Sequence, residues 1–384
     1  MKVIQADYLM LPDGEFREDM VLVMEDYGTA YIGLARSLSP DQPITRLKGY
    51  IIPGLVNVHT HIELSAYKSS IPRLTGLAGF ITALQKLRVS APVDESKAIG
   101  DALRQMLNDG IVAAGDIDNA GKWMDYKETS GIKFHHFFER FGLQPDSAEP
   151  IIEEAKKLFY SFTPSLQSRI SVTPHAPYSC SFGLVEGCFH LDINMGKPLS
   201  IHMLESEQEL NFMKFGTGPL ADMIRSFGIQ INRPDSEADD SLKHILPSHE
   251  YNAPIIFVHN TYLRNPEQMK ILSKVKPNLF LCLCLRANQY IEGCLPDVEG
   301  LSKEGFNICI GTDSLASNDS LRITDEMSFV KANFPKISDQ EIIRWASVNG
   351  MRALGLNFSD LNPGRLWHHL TIEDGVYKVS KLYA

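Results

Sequence analysis

The chain has 384 residues, 44% hydrophobic and 22% charged, which suits a globular enzyme with a substantial core and leaves no room for a long disordered tail. Its formal net charge of −10 argues against nucleic acid as a partner, because displacing counterions from a phosphate backbone takes clustered Lys and Arg. No apolar run is long enough for a bilayer, the start MKVIQADYLML lacks the pattern of a secretory leader, and the six cysteines follow no disulfide spacing; the expected setting is the cytoplasm and the expected partner a small-molecule substrate, with no membrane.

In chain order, residues 1–50 alternate short apolar runs (VLVM, YIGLA) with turn residues such as Pro12-Asp13-Gly14, which predicts a few antiparallel strands. From residue 51 the pattern changes to compact apolar runs separated by helical stretches. Eight runs can be counted: LVNVH (55–59), IVAAGDI (111–117), KFHHFFE (133–139), ISVTPH (170–175), LSIHML (199–204), IIFVHN (255–260), LFLCLC (279–284) and NICIGTD (307–313). Between them LAGFITALQKLR, KAIGDALRQMLNDG, PIIEEAKKLF and DEMSFVKANF space their apolar residues by three and four. Repeated β-α units in that number predict a (β/α)8 TIM barrel over residues 51–355. The alternative is a doubly wound open sheet, but no Gly-x-Gly-x-x-Gly follows the first strand. The C-terminal HHLTIEDGVYKVSKLYA, with a turn at Asp374-Gly375, is expected to return to the N-terminal strands. Residues 1–50 and 356–384 would then form one small β-sandwich-like domain.

A β/α barrel builds its active site at the C-terminal ends of its strands, so polar residues there carry the most information. His59 and His61 end the first run two residues apart, an alternation that aims both imidazoles at one face. His202 closes the fifth run with Glu205 three residues on, a metal ligand followed by a proton carrier or else merely a surface helix start. His259 ends the sixth run, where a hydrogen-bonded core histidine is the plainer reading. Asp313 ends the eighth, and a carboxylate beside so apolar a strand needs a cation or donors unless it caps the next helix. His175 follows the fourth run between two prolines that restrict its backbone. Each residue alone has an ordinary explanation. Their recurrence at successive strand ends is what points to a metal-assisted hydrolase.

Rival zinc patterns are absent: the chain has no His-Glu-x-x-His, and His61-Ile62-Glu63 has no Pro-Cys-x-x-Cys to complete a cytidine-deaminase site. Cys282 and Cys284 lie on an apolar strand and read as core or pocket lining.

The segments PGLVNVHTH, TPHAPYS, IHMLESEQE, FVHN and IGTDSLASNDSLRITDEM resemble the successive motifs of amidohydrolase-superfamily deaminases and chlorohydrolases over about residues 50–355. The resemblance implies that His59, His61, His202 and Asp313 hold one divalent ion, zinc first and iron(II) as the alternative. It further implies that Glu205 shuttles protons, that His259 stabilises the attacking hydroxide, and that His175 contacts substrate. Within the superfamily the chain is most similar to the branch acting on adenosine-like compounds. Glu63-Leu64-Ser65 after His61 is the cue towards aminofutalosine deaminases. S-adenosylhomocysteine, methylthioadenosine or adenosine deaminases, guanine or cytosine deaminases and chlorohydrolases share the site and remain alternatives; a non-catalytic scaffold is disfavoured because every ligand is intact. Glu63 and Glu139 are nominated as further substrate contacts, and a homodimer is usual for the resemblance. Two segments depart from the pattern. Cys284-Leu285-Arg286-Ala287-Asn288 stands where many relatives have Cys-Pro-x-Ser-Asn, and GRLWHHLTI where they have Gly-Lys-x-Ala-Asp.

Overall fold

A computed structural model describes residues 2–25, 30–90, 93–231, 241–247, 251–361 and 363–382; the last two residues of the C-terminal run fall outside them. All eight runs are strands: β1 (Leu55–Thr60), β2 (Ile111–Ile117), β3 (Lys133–Arg140), β4 (Ile170–Pro174), β5 (Leu199–Met203), β6 (Ile255–His259), β7 (Leu279–Leu283) and β8 (Asn307–Ile310). They are buried almost throughout, as strands covered on both faces must be, and every pairing among them is parallel. The four helical stretches are also found, at Gly76–Ser90, Glu95–Asn108, Ala148–Tyr160 and Ile323–Asn333. The second of these buries Ile99, Ala102, Leu103 and Met106 on one face and is capped by Asp94, whose side chain accepts from Lys97 N.

The strands do not form one uninterrupted ladder. They make two four-stranded sheets, ordered β4-β3-β2-β1 and β5-β6-β7-β8. At the β4/β5 seam the Thr173 hydroxyl takes both Ser200 N (3.1 Å) and Ser200 O, so a side chain replaces the backbone rung. At the β8/β1 seam the Asn57 amide does the same, accepting from Thr312 N at 3.1 Å and donating to Thr312 Oγ1 at 2.8 Å. Backbone bonds reappear only at the C-terminal edge: His202 N to His175 O at 2.9 Å across one seam, Thr312 N and Asp313 N to His59 O at 3.1 Å across the other. Sequence periodicity reports the strands and is blind to these side-chain substitutions. Inside the first sheet, Gly115 is fixed by close approach, because a Cβ there would lie 2.2 Å from Val58 O on β1.

The terminal segments form two small sheets. One joins Ala30–Leu34, Met20–Met24, Lys2–Gln5 and Ile44–Arg46 in that order; the other joins Val376–Lys381, Trp367–Glu373, Tyr50–Pro53, Tyr8–Met10 and Phe16–Arg17. The C-terminal hairpin thus pairs with Tyr50–Pro53, bringing both ends of the chain into the second sheet, while the first is N-terminal alone. The expectation of purely antiparallel strands is corrected at two pairs. Lys2–Gln5 runs parallel to Ile44–Arg46, and Tyr8–Met10 parallel to Tyr50–Pro53, because the chain crosses to another strand before returning. Among the described residues no helix is long and apolar enough to cross a membrane.

Behind β2 and β3 lies a buried charge network. Lys127, with no exposed surface, sits 2.6 Å from Asp116 Oδ2 and 2.8 Å from Asp118 Oδ2. His136 links Asp116 to Glu128, and Arg169 holds Glu128 at 2.7 Å. Removing the ammonium leaves two carboxylates in the interior without their cation. Lys127→Met is therefore expected to cost about 3–5 kcal/mol of stability. Urea unfolding of the variant beside the parent chain measures this, and an unchanged midpoint would contradict the network's role.

Candidate metal centre

His59 comes from β1, His61 from one residue beyond it, His202 from β5, His259 from β6 and Asp313 from beyond β8; the five meet in one cluster, buried except for the partly exposed His61. His59 Nε2 and His61 Nε2 are 3.2 Å apart, and Asp313 Oδ1 lies 3.5 Å from His61 Nε2 and 3.9 Å from His59 Nε2. The His202 ring centroid is 4.8 Å from that of His59 and 5.7 Å from that of His61. One ligand atom each from His59, His61 and His202 falls within 4.8 Å of the others.

Two of these imidazoles are held neutral. Burial, reinforced by the neighbouring imidazoles, pushes His59 well below the usual histidine range, and burial lowers His61 as well. The two Nε2 atoms face each other, and Asp313 Oδ1 faces both. Three imidazoles and one carboxylate form a four-donor set that suits a divalent ion, zinc above all, to which a water or substrate would add as a fifth ligand. The residues present therefore fit the ion that the sequence motifs imply.

Two of the candidate ligands, Asp313 and His202, are steered from behind. Ser317 Oγ donates to Asp313 Oδ2 at 2.6 Å, leaving Oδ1 to face the imidazoles. Asp313 does not cap the helix that follows, which begins at Ile323 after Arg322. His202 Nδ1 is 3.1 Å from His175 O and 3.2 Å from Glu139 Oε1, so Nε2 is the nitrogen free for an ion. Burial works against charge on His202, but Glu139 and the other nearby carboxylates outweigh it and raise the ring to about 9. Burial likewise works against charge on Glu139, yet His175, His202 and His61 together hold it down at about 2.

Beside the candidate ligands lie Glu205 and His259. Glu205 Oε2 is 3.3 Å from His259 Nε2, and Glu205 Oε1 accepts from Tyr178 OH at 2.5 Å. His259 Nδ1 meets Asn288 Oδ1 at 2.7 Å, while the same Asn288 donates through Nδ2 to His259 O at 3.4 Å. That second bond orients the amide, makes Nδ1 the donor and turns Nε2 towards Glu205. His202 and Glu205 are no surface helix start, for both are buried and the helix begins at Glu207, capped by Ser206. The backbone is left-handed at Leu204 (φ 49°), His259 (φ 74°), Asn260 (φ 55°) and Asp313 (φ 56°), a strained conformation for residues other than glycine.

His175 stands over His202, with ring centroids 4.7 Å apart, and its Nδ1 is tied to Ser179 Oγ at 2.7 Å. Burial lowers its pKa to about 3. The Phe141 ring, 47% exposed, packs against it with centroids 4.4 Å apart. Glu63 points elsewhere, pairing with Arg88 at 3.2 Å, and burial raises its carboxyl to about 7. The cluster thus gathers every nominated residue except Glu63, and Glu139 enters it through His202.

The residues missed by sequence reasoning are the ones that hold others: Tyr178, Ser179, Asn288 and Ser317. All four lie inside motif segments, TPHAPYS, CLRAN and DSLASN, yet their role depends on which atom of a neighbour they reach, and spacing does not encode that.

Residues 50–373 match the model of the amidohydrolase family. Among characterised proteins the chain is 25% identical over 358 residues to the adenosine deaminase of Helicobacter pylori, covering 89% of this chain and 86% of that protein. It is 25% identical over 337 residues to the aminodeoxyfutalosine deaminase of Deinococcus radiodurans, covering 84% and 77%. The crystal structure of Helicobacter pylori aminofutalosine deaminase with methylthio-coformycin superposes with a TM-score of 0.73 over 93% of this chain and 88% of that one, at 23% identity, which shows a shared fold.

If Glu139 orients His202 towards an ion, Glu139→Gln weakens zinc binding about 10- to 100-fold with the fold intact. Competition with a chromogenic chelator measures it, and an affinity equal to that of the parent protein would remove Glu139 from that role.

Proposed function

The chain belongs to the amidohydrolase family, and on that premise we propose that it deaminates the adenine-type ring of a nucleoside-like small molecule, with 6-amino-6-deoxyfutalosine as the substrate. The observation that carries the reaction type is the Glu205 carboxylate, held between Tyr178 and His259 beside the imidazole–carboxylate cluster. The choice of substrate is supported by Glu63-Leu64-Ser65 directly after His61 and by relatives that carry the aminodeoxyfutalosine name. We take residues 51–355 as the catalytic unit, its eight strands closing as a barrel, with residues 1–50 and 356–384 as a small sandwich-like β unit and a homodimer as the assembly.

His59, His61, His202 and Asp313 would hold the ion, with zinc as the metal of choice. A divalent ion there supplies Lewis acidity that brings the pKa of a water towards neutrality. Glu205 takes a proton from that water and delivers it to the ring nitrogen adjoining the carbon that bears the amino group. The oxygen bonds to that carbon, and His259, steadied by Asn288, stabilises the charge that develops. Glu205 then takes the remaining proton from the added hydroxyl and passes it to the amino group, so that the carbon–nitrogen bond breaks as that oxygen becomes the carbonyl. Water and the amine become ammonia and the oxo product. His175, neutral and beneath Phe141, forms one wall against which the ring lies.

The test is ammonia release from 6-amino-6-deoxyfutalosine, adenosine, S-adenosylhomocysteine, methylthioadenosine and guanine, with chloride release from a chlorotriazine as the counter-assay. The expected result is ammonia, fastest from 6-amino-6-deoxyfutalosine. Preference for guanine, or chloride without ammonia, overturns the substrate class. Glu205→Gln should lower kcat by at least about 100-fold while the metal stays bound. A Gln variant of near-normal activity would sink the proton-shuttle role.

A further inference from the structure

We propose that Tyr178 is the positioning residue of the proton shuttle: its hydroxyl occupies one oxygen of Glu205 and thereby makes the other oxygen the one that carries the proton. This rests on the reading of Glu205 given above and adds a residue to it.

The geometry is asymmetric. Tyr178 OH donates to Glu205 Oε1 at 2.5 Å, whereas Oε2 lies 3.3 Å from His259 Nε2. An oxygen that already accepts a short bond from a phenol is a poor place for a further proton, so a proton arriving at Glu205 settles on Oε2. That is the oxygen turned towards His259. Rotation of the carboxylate would exchange the two oxygens only by breaking the phenol bond, which costs more in a buried site than in water.

Both ends of this contact are anchored. Leu204 N and Glu205 N donate to the two oxygens of Glu209 at 3.1 and 2.9 Å, which fixes the main chain from which the Glu205 side chain leaves. The Tyr178 ring is 3% exposed, packs in a cluster with Leu77, Ala176 and Leu220, and stands edge-on to His175 at 5.6 Å. Burial and the adjacent Glu205 push the phenol well above its usual range, so it stays an O–H donor across the working pH range. A phenol that keeps its proton is a fixed director and does not compete as a base.

The variant that isolates the hydroxyl is Tyr178→Phe, made in the full chain and loaded with zinc. The expected outcome is a fall in kcat for ammonia release of about 10- to 100-fold with KM within about twofold of the parent value. Bound zinc and thermal midpoint should be unchanged, and a crystal structure of the variant should show the Glu205 carboxylate turned away from its present contact with His259. An unchanged kcat, or a carboxylate that has not moved, overturns the proposal. Loss of zinc or of stability with the hydroxyl would make Tyr178 structural and overturns it too. Should the parent protein release ammonia from no nucleoside, the functional reading falls by itself. The orientation of Glu205 in the variant then still decides the matter for Tyr178.

Discussion

Everything at the centre of this protein follows from one constraint: a cluster of imidazoles and carboxylates is buried where two parallel sheets meet. His59, His202, His259, Glu205 and Asp313 are all less than a tenth exposed. An ionised or hydrogen-bonding group so placed must find compensation inside the protein, because the water it left would have supplied it. The two sheets supply part of that compensation through the bonds that join them. His202 N reaches His175 O, and Thr312 N and Asp313 N reach His59 O, so the backbones of the candidate ligands are themselves the seam. Architecture and site are therefore one set of contacts. A change that parts the seams also moves the ligands.

The second regularity is a division of labour between side chains that face the centre and side chains that aim them. Ser317 takes the outer oxygen of Asp313, Glu139 the outer nitrogen of His202, Asn288 that of His259, and Tyr178 the outer oxygen of Glu205. Each of the aimed groups has two chemically equivalent or tautomerically exchangeable atoms. In each case the supporting residue occupies one and leaves the other facing the centre. A carboxylate or imidazole without such a partner would sample both orientations, and a site a fraction of an ångström too loose loses much of its rate.

Much of this was legible in the sequence, for reasons that can be named. Strands buried on both faces read as continuous apolar runs, so all eight were found, and residues at their ends were found with them. The break into two sheets was not legible, because Thr173 and Asn57 replace backbone rungs with side-chain bonds that leave the apolar pattern untouched. The parallel pairing of the terminal strands was missed because local turn signals speak only for neighbours in sequence. Glu139 shows a finer limit. Its place at the end of β3 was readable, but whether its carboxylate meets a substrate or the back of His202 depends on side-chain torsions and on what stands opposite, and alternation fixes neither.

The strained backbone at the strand ends completes the argument. Leu204, His259, Asn260 and Asp313 adopt left-handed conformations that none of them prefers. A left-handed residue at the end of a strand turns the chain sharply there. That conformation costs on the order of 1–3 kcal/mol per residue and persists only where the surroundings over-determine it. Here they do, through Asn260 N on Met203 O, Tyr262 N on Leu204 O, and Asp313 N on His59 O. Outside glycine, the described left-handed residues are these four together with Ser69, Leu74 and Asp374, so the strain concentrates at the positions that carry Glu205, His259 and Asp313. The extended strands hold these residues in place, and on the proposed reading that is where a reacting ring would sit.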